Sequence, residues 1–288
     1  MSAAGRDAAA RSDAGDMTQL PLLTEPDPPR GAALPVAAGV RRLVAPNPGP
    51  MTYHGTNTYL IDGDDGLTVL DPGPDDAAHV AAILAAAGGQ AIARIFLTHG
   101  HADHVGALPA LRAATGAAVF AAREGLADGT RIGAWTALAT PGHAPDHMCF
   151  ARADGVVCSG DHVMSFASTV VIPPEGDMAA YLAGLRRLLA REGDTLFLPG
   201  HGPPLPDPRA FTEALLAHRL DREAAILAAL AEAPHGVAAL VARLYVPLDP
   251  RLRGAAAASV TAHLLKLEAG GEVAREGETW RRAVPRGR

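Results

Sequence analysis

The sequence predicts an α/β fold followed by a smaller, mostly helical unit. Between about residues 40 and 204, short apolar runs alternate with longer stretches of helical periodicity. Beyond about residue 208 this alternation stops and helices dominate. The chain has 288 residues, 48% of them hydrophobic, which is enough for one substantial core and a second small domain. We therefore expect an α/β domain over residues 33–208 and a second unit over residues 209–288.

The α/β part contains short apolar runs bounded by turn residues, which are typical of buried strands. Strands are predicted at residues 58–62, 67–73, 92–99, 117–122 and 195–202, with a hairpin over residues 147–161. Helices are predicted at residues 75–89, 105–116 and 177–193. Several strands end on polar side chains that can bind a metal. Strand ends are where α/β proteins place their sites, because the strands hold the loops rigidly.

The C-terminal part reads as three helices and a hairpin. Amphipathic helices are predicted over residues 211–233, 235–246 and 250–271, and the last ends at a Gly-Gly pair. Residues 272–284 follow as two short strands joined by the turn Glu-Gly-Glu. Three helices followed by a hairpin predict a helical linker and a winged-helix-like domain.

Residues 1–32 mix Ala, Asp, Arg and Pro without any period, so they are predicted to form a disordered tail. This tail lacks the apolar core of a secretory signal, and the sequence has no run of about 18 apolar residues. The net charge of −6 gives no overall signal for a nucleic acid or a membrane surface. Cys149 and Cys158 flank the predicted hairpin and are expected to be free buried thiols. Together these observations favour a cytoplasmic protein.

One stretch, THGHADH, places three histidines and an aspartate within six positions directly after an apolar run. His99 and His101 are two residues apart, so at the end of a strand both can project into one pocket. Asp103 and His104 follow where the chain turns into the next helix. An unmatched imidazole or carboxylate in a dry pocket is costly, and a metal ion is a partner that all four can share.

Three more metal-capable residues follow apolar strands further along the chain, namely His143, Asp161 and His201. Each has a glycine next to it, which lets the backbone turn and approach closely. A solvated polar loop at residues 99–104 would not explain these additional positions. The residue types and their clustering at strand ends therefore predict a metal site.

The stretch THGHADH resembles the His-x-His-x-Asp-His signature of the metallo-β-lactamase superfamily, and the resemblance extends over about residues 40–204. It implies an αββα sandwich with the site at the sheet edges. It also implies two metal ions, one held by His99, His101 and His143, the other by Asp103, His104 and His201, with Asp161 bridging them. Two zinc ions are expected from the nitrogen-rich set, with iron or manganese possible in their place.

The implied mechanism is a metal-dependent hydrolysis. Two cations generate a bridging hydroxide at neutral pH and polarise the substrate. Asp103 would orient that hydroxide and Asp161 would bridge the metals. His162, next to Asp161, is expected either to orient a ligand or to donate a proton to a leaving group. His79 and His218 lie on predicted helices and are interpreted as surface residues.

Two further stretches are similar to the lactamase-beta-like endoribonuclease family within that superfamily. Residues 45–62 contain an Asn-Pro-Gly-Pro turn before a Gly-Thr-Asn-Thr-Tyr strand, and the C-terminal helices follow the order of that family's last domain. The similarity implies a phosphodiesterase acting on single-stranded RNA. Arg275, Arg281 and Arg282 in the predicted wing would then contact phosphates.

Two other functions fit the same sequence. A glyoxalase II-type thioesterase, or another acyl hydrolase, would use the same metals on a small acyl or thioester compound. A nucleic-acid-binding module with structural metals is the weakest hypothesis, because a structural zinc site needs one closed shell of four ligands. No membrane partner is expected, and the oligomeric state is left open.

Overall fold

The computed structural model describes residues 18–283, which form two stacked β-sheets with helices on both outer faces and a C-terminal helical unit. Residues 1–17 of the predicted tail and residues 284–288 lie outside the described residues. Among the helices of residues 18–283, none is long and apolar enough to cross a bilayer.

The first sheet has six strands in sequence order, β1 to β6. They are β1 (Leu34–Ala37), β2 (Val40–Val44), β3 (Asn57–Ile61), β4 (Leu67–Leu70), β5 (Ile92–Phe96) and β6 (Ala118–Phe120). The pairs from β1 to β4 are antiparallel, whereas β4, β5 and β6 run parallel. Parallel neighbours need a crossover, and helices on the outer face supply it.

The second sheet has five strands in the order β11-β10-β9-β8-β7. They are β7 (Arg131–Ile132), β8 (Trp135–Ala139), β9 (Met148–Arg152), β10 (Val156–Gly160) and β11 (Leu196–Pro199). Strands β9 and β10 form the predicted hairpin, and β11 pairs parallel with β10. The two thiols, Cys149 and Cys158, are free and buried, as predicted.

Three apolar layers hold the sandwich together. Between the sheets, Phe96 of β5 stacks on Phe150 of β9 with ring centroids 4.5 Å apart. Outside the first sheet, α1 (Ala77–Ala86) and α3 (Leu108–Thr115) cover its apolar face. Outside the second sheet, α4 (Met178–Leu189) does the same. This arrangement is the αββα sandwich expected from the sequence, so the predicted fold is confirmed.

The C-terminal unit contains three helices and a small sheet. Its elements are α5 (Pro208–Glu232), β12 (His235–Gly236), α6 (Val237–Leu244), α7 (Arg253–Ala269), β13 (Val273–Glu276) and β14 (Thr279–Arg282). The strands pair in the order β12-β14-β13. Leu240, Leu264 and Trp280 lie in a separate apolar core. The unit has the helix and hairpin order of the predicted winged helix.

Some elements differ from the sequence predictions. The predicted helix over residues 105–116 corresponds to α3, which begins at Leu108 because Pro109 fits only the first turn of a helix. The short helix α2 (Ala102–Val105), which precedes it, was not predicted. Strands β1, β2, β7 and β8 were not predicted, and β12 replaces the start of the helix predicted over residues 235–246. All of them have five residues or fewer.

Residues 18–32 do not match the predicted disordered tail. Asp221 on α5 accepts hydrogen bonds from the backbone and the hydroxyl of Thr18. Leu20 and Leu23 pack against the core beneath α4. Glu25 binds the buried guanidinium of Arg42 through both carboxylate oxygens. These contacts join residues far apart in the sequence, which a search for local periodicity cannot detect.

Candidate metal centre

The seven predicted metal ligands all lie at one edge of the two sheets. His99 follows β5, His101 is the N-cap of the short helix α2, and Asp103 and His104 lie within that helix. The other three side chains follow strands of the second sheet: His143 after β8, Asp161 after β10 and His201 after β11. Their side-chain atoms form three groups with ligand atoms within 4.8 Å of one another, namely His99–His101–His143, His99–His104–Asp161 and Asp103–His104–His201.

In the first group, three imidazole nitrogens converge on one point. Nε2 of His99 lies 2.9 Å from Nδ1 of His101, and Nε2 of His143 lies 3.0 Å from the same atom. Three imidazoles cannot satisfy one another fully, because each neutral ring has only one N–H donor. A shared cation would satisfy all three nitrogens, so the donor set fits a metal with nitrogen ligands.

In the Asp103–His104–His201 group, His104 and His201 face each other with their Nε2 atoms 3.3 Å apart. Oδ2 of Asp103 lies 3.3 Å from Nε2 of His201. Asp161 reaches both groups, because its Oδ2 lies 3.6 Å from Nε2 of His143 and 3.5 Å from Nε2 of His201. Oδ1 of Asp161 is buried and has no hydrogen-bond partner among the described residues. A buried carboxylate oxygen without a donor is costly, and a bridging position between two cations would satisfy it.

The outer nitrogens of two histidines fix which nitrogen faces the cluster. Nδ1 of His104 lies 2.9 Å from a carboxylate oxygen of Asp71, and Nδ1 of His143 lies 2.8 Å from the carbonyl of Val170. Since both partners accept hydrogen bonds, each Nδ1 carries the hydrogen. Each Nε2 is then the nitrogen that faces the cluster and that can bind a metal once it carries no proton.

His99 is oriented in the same way through a hydroxyl. Thr98 Oγ1 donates to Asp71 at 2.7 Å and lies 3.0 Å from Nδ1 of His99. Because the hydroxyl hydrogen is used on Asp71, Thr98 Oγ1 accepts from His99, and Nε2 of His99 is left with its lone pair.

Both acidic residues of the cluster are ionised at neutral pH. Burial opposes ionisation of Asp161, but the His201 and His104 imidazoles hold its pKa well below the usual range. Burial likewise opposes ionisation of Asp103, and its contacts with His201 and His104 lower the pKa. Two carboxylates and five imidazoles in one pocket are the donor set of a divalent metal site.

Asp71 belongs to this site although sequence analysis missed it. It ends β4 and accepts from the backbone N–H of Thr98 at 2.8 Å, in addition to the contacts with Thr98 Oγ1 and His104. Its φ is +48°, a backbone conformation that Asp and Asn tolerate better than most residues. The signal in the sequence was an acid directly after a buried apolar run, but the following Pro-Gly made it look like a turn residue.

The structure disagrees with the proton-donor role predicted for His162. The ring is 0% exposed and packs on α4, with its centroid 4.9 Å from that of Tyr181. A Cβ on Gly184 would lie 2.4 Å from the ring, so the histidine faces the helix and not an open pocket. Burial and the nearby His143 lower the pKa of His162 to about 3, so the ring is neutral at pH 7 and has no acidic proton to give.

Two other histidines are buried beside the candidate ligands, and for His79 this contradicts the predicted surface position. His147 is fully buried, and its Nε2 accepts from the backbone N–H of Asp161 at 3.1 Å, which positions that carboxylate. His79, predicted at the surface, is 4% exposed and lies 2.9 Å from Thr58 Oγ1. Thr58 in turn donates to the carbonyl of Asp71. Both histidines therefore help to position residues of the site, His147 through Asp161 and His79 through Thr58 and Asp71.

The wing arginines have acidic or aromatic neighbours. Arg281 forms an ion pair with Glu276, and Arg282 lies 3.8 Å from Glu272. The guanidinium of Arg275 lies over the Trp280 ring, 5.7 Å from its centroid. Their positive charge is thus partly compensated within the domain.

A cleft of about 1420 Å³ lies between the N-terminal segment, the loop after β10, and helices α5 to α7. Its walls include the apolar side chains of Met51, Phe166 and Val170. Because the Val170 carbonyl binds His143, the cleft begins beside the first histidine group. Val170 therefore links the cleft to the candidate metal-binding cluster, whose own side chains do not line the cleft.

Comparisons with known proteins agree with this geometry. Residues 51–137 match the model of the metallo-beta-lactamase superfamily, and residues 237–280 match the beta-lactamase associated winged helix domain. The chain is 31% identical to an atrochrysone carboxyl ACP thioesterase of Aspergillus chevalieri over 221 residues, which cover 71% of this chain and 70% of that protein. It is 32% identical over 210 residues to the lactamase-like protein adaB of Aspergillus niger, covering 68% of this chain and 65% of that protein, just under two thirds of its length.

Among solved structures, a beta-lactamase domain protein from Burkholderia ambifaria superimposes with a TM-score of 0.75 at 27% identity. The superposition covers 89% of this chain and 95% of that one, so it includes the C-terminal unit as well as the sandwich. The motif, the sandwich and these likenesses agree. The chain belongs to the metallo-β-lactamase superfamily and has a C-terminal β-lactamase-associated winged helix domain.

Proposed function

We propose that this protein is a hydrolase that binds two divalent metal ions, preferentially zinc, and cleaves a thioester. The observation that supports two metals is Asp161, which reaches both the His99–His101–His143 group and the Asp103–His104–His201 group. Nitrogen-rich ligation suits zinc, and iron and manganese also occupy such sites. When bound, a pair of cations supplies hydroxide at neutral pH and polarises the carbonyl under attack.

The two aspartates would have different roles in this reaction. The side chain of Asp161 is 8% exposed, so it is suited to hold cations and not to meet substrate. The side chain of Asp103 is 32% exposed, and its carboxylate is ionised. It can therefore accept a hydrogen bond from an attacking water and orient it. His162 is buried behind the site and cannot donate a proton. The leaving group must therefore depart without a proton from that residue, as a thiolate can.

A thioester is the substrate class that the cleft supports best. Its apolar walls, formed in part by Met51, Phe166 and Val170, suit an acyl chain, and they begin next to His143. The thioesterase of Aspergillus chevalieri named above supports the same reaction class. A thiolate is also a good leaving group, which is consistent with the lack of an accessible acid at His162.

Single-stranded RNA is the second candidate substrate, favoured by the match to a winged helix domain. Against it, the wing arginines Arg281 and Arg282 lie near Glu276 and Glu272. An acid next to each arginine reduces the positive potential that would attract a phosphate backbone.

The proposal is tested by metal content and by hydrolysis. Elemental analysis of the purified protein should approach two metal equivalents per chain. Butyryl-N-acetylcysteamine should be hydrolysed, and a single-stranded RNA oligomer should be left intact under the same conditions. A stoichiometry that saturates at one metal ion per chain would contradict the two-metal site. Cleavage of RNA without thioester hydrolysis would show that RNA, and not a thioester, is the substrate.

The variant Asp103→Ala tests the role of the exposed carboxylate. We expect turnover to fall by about 10²-fold or more with little change in melting temperature, because a ligand is lost and no core side chain is removed. The matched control is Asp65→Asn, since Asp65 is an exposed carboxylate that pairs with Arg94 on the outer part of the sheet. Turnover at the wild-type rate in Asp103→Ala would remove this residue from the mechanism.

A further inference from the structure

Helix α5 carries two arginines, Arg219 and Arg222, that line the cleft beside the metal-binding cluster. They are three residues apart and therefore project from neighbouring positions on the same side of the helix. Arg219 is only 2% exposed, although its side chain is always charged. Within residues 18–283, neither guanidinium forms an ion pair with a carboxylate.

The partners that the two guanidiniums do have are neutral. Arg219 Nη2 donates to the carbonyl of Thr169, and its guanidinium lies over the ring of Tyr181, 5.4 Å from the centroid. Arg222 Nη1 donates to the carbonyl of Leu244, and its guanidinium lies 3.9 Å from the ring centroid of Tyr245. The Nε atoms of both arginines are buried without a hydrogen-bond partner among the described residues.

The nearest acidic residues of α5 are engaged elsewhere. Asp221 accepts from the backbone N–H and the hydroxyl of Thr18, and Glu223 pairs with Lys266 at 2.7 Å. Glu232, at the end of the helix, pairs with Arg243 at 2.6 Å. Asp221 and Glu232 line the same cleft, so its three arginines (Arg219, Arg222 and Arg243) and two carboxylates leave one excess positive charge. A buried cation without a counter-ion is costly, so this arrangement calls for an anion.

We propose that Arg219 and Arg222 form an anion subsite that binds a carboxylate or phosphate group of the substrate. The substrate identification rests on the proposed thioester hydrolysis. Guanidinium groups bind both kinds of anion through paired N–H donors, and the low exposure of Arg219 makes each such bond stronger than it would be in water.

The subsite is close enough to the cluster to hold the same molecule. Arg219 binds the carbonyl of Thr169, and the hydroxyl of Thr169 donates to the carbonyl of Asp161 at 2.7 Å. One residue further on, the carbonyl of Val170 binds His143. A substrate whose thioester lies at the cluster can therefore place a charged end on α5. That charge belongs either to a dicarboxylic acyl group or to the phosphate of a pantetheine arm.

Two substrate pairs distinguish these sources. Succinyl- and butyryl-N-acetylcysteamine differ in one carboxylate, and butyryl-phosphopantetheine and butyryl-pantetheine differ in one phosphate. The wild-type protein should prefer the charged member of one pair by about tenfold or more in kcat/KM, since a hydrogen bond to a charged group contributes at least that factor. Equal rates within both pairs would overturn the proposal.

The variant Arg222→Gln should remove most of that preference, measured as the ratio of kcat/KM between the charged and the uncharged member of the pair. Arg222→Lys retains a positive charge and should retain much of the preference. Arg243→Gln is the matched control, because Arg243 also lines the cleft but is paired with Glu232. If Arg222→Gln slowed the charged and the uncharged member of each pair equally, the arginine would act through packing on Tyr245 and the subsite would be wrong.

A binding measurement separates this proposal from the proposed function. Calorimetry with succinate and with phosphopantetheine needs no turnover, and at least one of them should bind wild type about tenfold more tightly than Arg222→Gln. Such a difference without hydrolysis of any thioester would support the anion subsite and contradict the thioesterase. Equal binding of both compounds to wild type and variant would overturn the subsite even if thioesters were hydrolysed.

Discussion

Oδ2 of Asp71 lies 2.9 Å from Nδ1 of His104, and both side chains are completely buried. This contact joins the end of β4 to helix α2 across the rear of the metal-binding cluster. The same carboxylate accepts two hydrogen bonds from Thr98, which precedes His99. One side chain thus orients a histidine of each group, so it should affect metal affinity without touching a metal.

The variant Asp71→Asn tests this positioning role. The substitution replaces one carboxylate oxygen by an NH₂ group, and an NH₂ group that faces the ring cannot accept a hydrogen bond from His104. Asn tolerates the positive φ of residue 71, so the backbone is not strained by the change. We expect metal affinity to fall by about 10- to 100-fold, as for other partners of metal-binding histidines. Competition with a chromophoric chelator measures the affinity, and Asp65→Asn serves as the exposed control. Unchanged affinity in Asp71→Asn would show that His104 is oriented by other contacts.

The space around Gly200 predicts a second effect on the cluster. A Cβ at this position would lie 2.3 Å from Oδ1 of Asp161 and 2.7 Å from Cε1 of His104. Gly200→Ala should therefore displace both side chains and lower both metal content and turnover, by about 10-fold or more in affinity.

Gly254 provides the matched control for that substitution. It lies in the first turn of α7, and no atom lies within 4 Å of a Cβ built there. Gly254→Ala should leave metal binding unchanged and raise the free energy of unfolding by about 0.5–1 kcal/mol, because alanine is the better helix former. Equal metal content in Gly200→Ala and Gly254→Ala would mean that the loop after β11 shifts freely.

Periodicity predicted an α/β domain and the convergence of the site residues for a simple physical reason, whereas the αββα sandwich was what the resemblance to the metallo-β-lactamase superfamily implied. Strands and helices have short periods, and metal-capable side chains directly after apolar strands mark the edge where strands end. The structure brings all of these predicted positions together at one edge, His99 and His201 among them. Their role as ligands stays a prediction.

The supporting contacts could not be predicted in the same way. Asp71 is 33 residues from His104, and Arg219 is 50 residues from Thr169. No local pattern distinguishes these residues from a turn acid or a surface arginine. The ordering of residues 18–32 was missed for the same reason, because it depends on Glu25 meeting the buried Arg42. Sequence periodicity reports which face is buried, whereas such polar pairs are visible only once the chain is folded.

A pH dependence follows from His79, which burial keeps at a pKa of about 4, below the ordinary 6.5. Below pH 6.5 the unfolded chain takes up a proton at this residue and the folded protein does not. The part of the free energy of unfolding that depends on a neutral His79 is therefore fully present above pH 6.5 and is lost as the pH falls towards 4. Between pH 7 and pH 5 the loss should be about 2 kcal/mol.

The variant His79→Gln isolates this effect, because glutamine can still donate to Thr58 Oγ1 but does not titrate. The free energy of unfolding, measured with denaturant at several pH values, should fall less steeply below pH 6.5 in the variant than in wild type. Since histidines of the cluster titrate in both proteins, the difference between the two curves is the quantity to compare. Parallel curves would mean that His79 is protonated in the folded protein.

The last prediction concerns the wing and separates thioester from RNA. Arg281 and Arg282 have acidic neighbours, Glu276 and Glu272. The double variant Arg281→Glu/Arg282→Glu should therefore leave thioester kcat/KM within about 2-fold of wild type, as for surface charges far from the chemistry. If these arginines instead neutralised two phosphates of an RNA strand, the slope of log affinity against log salt would become shallower by about 2 in the variant. RNA affinity at two salt concentrations, measured for both proteins, distinguishes these outcomes. We expect weak RNA affinity with the same salt dependence in both proteins, because the wing charges are compensated within the domain. A steep slope in wild type that flattens in the variant would favour RNA as the substrate.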